Sequence, residues 1–109
     1  MTIQIKKTYS GINLEMLRDE IGDMVQKRGI MVEKAKVQTY GLPSGSTQSR
    51  VTMVFKARDE ECGSAEIIEL PGGETNLMVD LDEGLLSQEG ILSLQKDLDF
   101  ILGSYEVKW

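Results

Sequence analysis

The sequence predicts a two-layer α+β domain, an antiparallel sheet covered on one face by two helices in the order β-α-β-β-β-β-α. Three observations lead there. Two stretches, one near each end, space their apolar residues at the period of a helix. Between them, strand-length segments alternate apolar and polar side chains. Gly- and Pro-bearing clusters separate those segments by too few residues for a crossover, which implies hairpins and an antiparallel meander. The whole chain of 109 residues suits one domain, 1–109.

Residues 2–9 read as a strand, with Ile3 and Ile5 on one face and Thr2, Gln4, Lys6 and Thr8 on the other. Ser10-Gly11 breaks that pattern. Asn13 is then a good N-cap for a helix over about 13–28. Leu14, Leu17, Ile21 and Met24 form its apolar stripe, with Val25 alongside. Acids in its early turns and Lys27-Arg28 at its end match the macrodipole, and Gly29 stops it.

Residues 30–40 read as a lysine-bearing edge strand. Met31, Ala35, Val37 and Thr39 are expected on one face; Val32, Lys34, Lys36, Gln38 and Tyr40 on the other. Residues 41–46 form a loop by composition. The strand at about 48–58 has the clearest period of two. Val51, Met53, Phe55 and Ala57 face inward, and Arg50, Thr52, Lys56 and Arg58 outward. Residues 59–63, Asp-Glu-Glu-Cys-Gly, read as a charged turn. A strand at about 64–70 leads through Pro71-Gly72-Gly73 into another at 74–82, with Leu77, Val79 and Leu81 inward. The final helix is capped by Ser87, with Leu86 placed to pack on Ile91 as a hydrophobic staple. Its stripe is Ile91, Leu94, Leu98, Ile101 and Tyr105, and Gly103 marks its end. Met24 and Met53 belong to the core by pattern, whereas Met16 and Met78 fall off the apolar stripes. Trp109 is expected to fold back on the core.

This order of elements resembles the TATA-binding-protein-like and helix-grip architectures, in which a curved antiparallel sheet wraps a long C-terminal helix. The resemblance covers about the whole chain and is one of topology, carried by no sequence motif. It therefore implies a fold and transfers no functional residue.

Charge is divided unevenly. Residues 1–58 hold ten Lys/Arg against five acids, a balance of +5, and residues 59–109 hold thirteen acids against Lys96 and Lys108, a balance of −11. The net charge of −6 argues against nucleic acid or an anionic membrane as partner. No apolar run reaches the roughly 18 residues of a membrane helix, and the N-terminus lacks a signal-peptide core, so a cytoplasmic location is expected.

Catalytic and metal motifs fail on their chemistry. There is no histidine, the commonest general base and metal ligand, and Cys62 stands alone. Asp59, Glu60 and Glu61 would disfavour a thiolate at Cys62. The loop 41–47 has Ser46 where a phosphate-binding loop needs lysine. Asp80, Asp82 and Glu83 offer oxygens to a cation, but the register of a calcium loop would place Leu85 at its glycine position. No catalytic residue, metal or cofactor is assigned.

The positive feature is a basic hairpin. Lys34, Lys36, Arg50, Lys56 and Arg58 are the candidate binding residues, five cations on adjacent strands. They suit an acidic protein segment better than single-stranded nucleic acid, because only Tyr40 is nearby for base stacking. The alternative is a soluble face with cross-strand pairing to Glu66 and Glu69. The functional expectation is a small non-catalytic binding domain acting on a protein partner or by self-association, with pairing at the edge of the second strand as one means of contact. The alternatives are a carrier of a small apolar ligand, with a cavity between sheet and C-terminal helix, and a histidine-independent enzyme.

Overall fold

The computed structural model describes residues 2–107, with every side chain among them except that of Lys34. The elements are β1 (Thr2–Ser10), α1 (Leu14–Gln26), β2 (Met31–Gly41), β3 (Thr47–Ala57), β4 (Glu60–Glu69), β5 (Glu74–Asp82) and α2 (Gln88–Leu102), followed by a 3-10 turn at Gly103–Tyr105. The two-layer α+β class and the element order are those read from the sequence.

Turn chemistry sets the meander. Leu42-Pro43-Ser44-Gly45 and Leu70-Pro71-Gly72-Gly73 close two hairpins in the same way. Proline pre-sets the second position, and Gly45 and Gly73 take left-handed φ of 87° and 92° at the fourth. In each turn the glycine N–H donates to the leucine carbonyl, at 2.9 and 3.0 Å. The leucine N–H donates across to Ser46 or Glu74, at 2.8 Å in both. The middle hairpin turns on Arg58 and Asp59 alone, both in left-handed backbone at φ 53° and 66°.

The sheet order is β1-β5-β4-β3-β2, every pair antiparallel. α1 carries the chain across the layer from one edge strand to the other. Its N-terminus is capped twice. The Asn13 side chain accepts from Met16 N–H at 2.8 Å, and Glu69 on β4 accepts from Leu14 N–H at 3.2 Å. Ser87 caps α2 by accepting from Gly90 N–H at 3.0 Å. Leu14, Leu17, Ile21, Met24 and Val25 of α1 and Ile91, Leu94, Leu98 and Leu102 of α2 are buried against the inner sheet face. That face is formed by Val51, Met53, Phe55, Ala65, Ile67, Leu77, Val79 and Leu81, with Ile5 and Tyr9 from β1.

Four local expectations change. β2 carries a bulge at Glu33, between the pairs Val32–Phe55 and Lys34–Val54. The extra residue reverses the alternation, so Val32, not Met31, lies on the inner side, and Met31 is 70% exposed. The segment 59–63 is not a turn, because β4 begins at Glu60. A second bulge there leaves Cys62 unpaired between Glu61 and Gly63, and Cys62 is buried in the core. Gly63 beside it packs against the Asp80 carbonyl, where a Cβ would have no room. β3 ends at Ala57, which removes Arg58 from the strand face and puts it in the turn. α1 ends at Gln26, so Lys27 and Arg28 follow the helix instead of closing it, and Gly29 turns the chain at φ 75°. The expected place of Trp109 lies outside the described residues.

Candidate functional site

The strand register brings four of the five candidate cations to the outward face of one hairpin. Lys36 lies opposite Thr52, Lys34 opposite Val54, Arg50 opposite Gln38, and Lys56 opposite Met31. Arg58 is exposed at the far end, off this face. Two of the cations already have partners. Arg50 reaches Glu66 on β4 at 3.5 Å and stands 5.9 Å over the Tyr40 ring. Lys56 meets the bulge residue Glu33 at 3.1 Å. Glu66 therefore makes the cross-strand pair expected of it. Glu69 does not, since its carboxylate is spent on the start of α1. Both of these pairs are partly exposed, so the face is a solvated surface on which Arg50 and Lys56 are interleaved with carboxylates and Lys36 is exposed.

The edge beside that face is different. Leu42 and Ser46 form a hydrogen-bonded pair, and antiparallel pairs alternate between bonded and non-bonded. Counting back along the register, Tyr40, Gln38, Lys36 and Lys34 point their backbone groups at β3. Ala35, Val37 and Thr39 point theirs the other way, off the sheet. Among the described residues no strand takes up those N–H and C=O groups. Val37 and Tyr40 on this strand are 52% and 40% exposed. On the helix side a groove of about 430 Å³ runs between α1 and β2, with Val32, Ala35 and Met53 as its floor. The opposite edge is partly engaged by the chain itself. Val107 N–H donates to the Thr8 carbonyl at 2.8 Å, and Glu106 bridges Tyr9.

Near that engaged edge the Lys7 ammonium lies 3.1 Å from Asp99 and 3.4 Å from Glu106. Burial works to lower its pKa, but the two carboxylates outweigh burial, and the pKa is raised. Tyr9 is fully buried next to them with its hydroxyl unpaired among the described residues. Burial, then Glu106 and Asp99, push its pKa above the ordinary tyrosine value. Burial also raises the Cys62 thiol, helped by Asp82 and Glu61 and opposed by a backbone hydrogen bond. That shift disfavours the thiolate, and the sulfur is buried in the core, so neither condition suits a nucleophile.

The acidic strand end is taken up in local structure. Asp80 accepts from the Gln4 amide at 3.1 Å, and the Asp82 carboxylate accepts from Gly84 N–H at 2.7 Å. No group of three or more metal-ligating side chains occurs among the described residues. A second groove, of about 400 Å³, lies where the β3–β4 turn, the end of α1 and the start of α2 meet. Ile30, Leu81, Leu86, Ile91 and Leu94 line it, with Arg28 and Arg58 at its rim. Arg28 was not singled out from the sequence, because it reads there as an ordinary helix-end cation. Only the fold brings it to Asp97, at 2.7 Å.

No protein family matches this chain, and comparison with curated proteins and with solved structures gives no significant match to either. No helix among the described residues is long and apolar enough to cross a membrane.

Proposed function

We propose that the chain is a non-catalytic interaction domain whose binding surface is the open edge of β2, and that it takes up an extended protein strand there. The observation carrying this reading is the outward-pointing, unpaired backbone at Ala35, Val37 and Thr39. An unpaired row of this kind is a template for strand addition, in which main-chain hydrogen bonds supply affinity and flanking side chains supply selectivity. Support also comes from the chemistry left over. With no histidine and with its one cysteine buried and its thiolate disfavoured, the chain has neither the commonest general base nor an activated thiol. With Arg50 and Lys56 paired to carboxylates, two of the candidate cations are less available to a phosphate backbone.

The test is a titration of ¹⁵N-labelled protein with an unlabelled extended peptide of alternating Val, Thr and Glu. The amides of Ala35, Val37 and Thr39 are expected to shift while those of Lys36 and Gln38 move far less. Shifts confined to the outward face, with the edge amides unmoved, would contradict the reading. A second reading, a carrier of a small apolar ligand, is favoured by the groove at the start of α2, whose floor is apolar and which lies between sheet and C-terminal helix as such a site requires.

A further inference from the structure

We propose that the strand received at this edge is β2 of a second copy of the chain, joined about a two-fold axis through Val37. The inference rests on the strand-addition reading and names its occupant. Three features of the strand select this arrangement.

The first is the phase of the backbone. A two-fold through Val37 faces its outward N–H and C=O with those of Val37 in the second copy. It likewise sets Ala35 against Thr39 of the second copy, and Thr39 against Ala35. These are the residues whose backbone groups point off the sheet, so each such pair exchanges both of its hydrogen bonds. Nothing within either monomer is broken, because β3 bonds to the alternate residues.

The second is charge. The same axis puts Lys36 opposite Gln38 of the second copy, Lys34 opposite Tyr40, and Glu33 opposite Gly41. No like charges face each other. Moving the axis to Ala35 would set Lys34 against Lys36, and moving it to Lys36 would set that lysine against itself, both unfavourable. An axis through Gln38 avoids the clash but pairs only residues 35–41, leaving the bulge end unused. The lysines thereby exclude the axes at Ala35 and Lys36, and the Val37 axis gives the longest pairing free of a like-charge clash.

The third is shape. The inner face of β2 is bare at Val37, 52% exposed, and the groove beside α1 lies along the same edge. In the paired sheet the two Val37 side chains adjoin on the helix side, and the incoming strand runs along the mouth of that groove. This is an isologous contact, closed at two copies, so it consumes the open edge instead of propagating it.

The experiment is sedimentation equilibrium on the full chain and three variants, at low and high salt. The wild type is expected to show a concentration-dependent monomer–dimer equilibrium. Val37→Pro removes an outward N–H that the monomer does not use, and should abolish the dimer. Gln38→Glu sets a carboxylate opposite Lys36 of the second copy and should tighten the dimer about tenfold at low salt, less at high salt. Gln38→Lys should weaken it by a similar factor. Circular dichroism of each variant separates loss of pairing from loss of fold. If Gln38→Glu and Gln38→Lys both weaken the dimer, the axis lies at Gln38 and the proposed register is wrong. A dimer indifferent to all three variants overturns the location. A protein monomeric at every concentration overturns the second-copy occupant, while the peptide titration above still decides whether the edge binds strands at all.

Discussion

Tyr9 concentrates the cost of building this edge of the molecule. Its ring fills the core, but its hydroxyl is buried without a partner among the described residues. Removing an unsatisfied hydroxyl while keeping the ring is neutral to favourable, so Tyr9→Phe should leave stability unchanged or raise it by up to about 1 kcal/mol at neutral pH. The two proteins should part company in alkali. The folded pKa of Tyr9 is raised above that of the unfolded chain, about 10. Stability is therefore fully present below about pH 10 and is lost as pH climbs toward the folded value, because the unfolded state releases its proton first. Denaturant melts between pH 8 and 11 should show the wild type losing stability at the top of the range while Tyr9→Phe loses less. Gly63 shows the same local determinism from the other side. The bulge at Cys62 brings the Asp80 backbone so close that only glycine fits. Neither residue announces itself in the sequence, because burial of a hydroxyl and contact with the distant Asp80 carbonyl are products of tertiary packing.

Helices and turns were legible where the signal is local. Asn13 and Ser87 cap as their side chains dictate, and every residue of the first apolar stripe is buried. The two Leu-Pro-x-Gly turns carry their geometry in four residues. What could not be read are the bulges. Each adds one residue without altering the alternating pattern on either side, so the faces assigned before and after it disagree by one step. That misplaced Met31 and hid Cys62, and the same ambiguity at the Arg58-Asp59 turn put Arg58 on the wrong side of the strand end. The tie between the helices was equally hidden. Arg28, 16% exposed at its side chain, donates to Met24 O at 2.6 Å and to Ser93 and Asp97 on α2, each at 2.7 Å. Arg28→Ala should cost about 2 kcal/mol, since it deletes charge-assisted bonds at a mostly buried site. Arg18→Ala, which loses only a surface contact to its neighbour Asp19 at 3.4 Å, should cost no more than about 0.5 kcal/mol. Urea midpoints of the two variants check the contrast.

Over the whole molecule, folding bridges the division of charge along the chain at three places. Lys7 pairs with Asp99 and Glu106, Arg28 with Asp97, and Arg50 with Glu66, each joining the basic half to the acidic one. The candidate cations were legible as a group because strand period and register are simple, but the pairing of Arg50 needed β4 beside β3, and that of Lys56 needed the Glu33 bulge in β2. Folding also leaves backbone unspent: one long strand whose outer ladder has no mate among the described residues. Amide hydrogen exchange resolved by residue tests this directly. In dilute protein alone, Ala35, Val37 and Thr39 should exchange fast while Lys36 and Gln38, bonded to β3, exchange slowly. Concentrating the protein should slow the first three alone. If those three amides were protected at every dilution, or stayed unprotected at every concentration and with the strand peptide present, the open edge would not be where this protein binds.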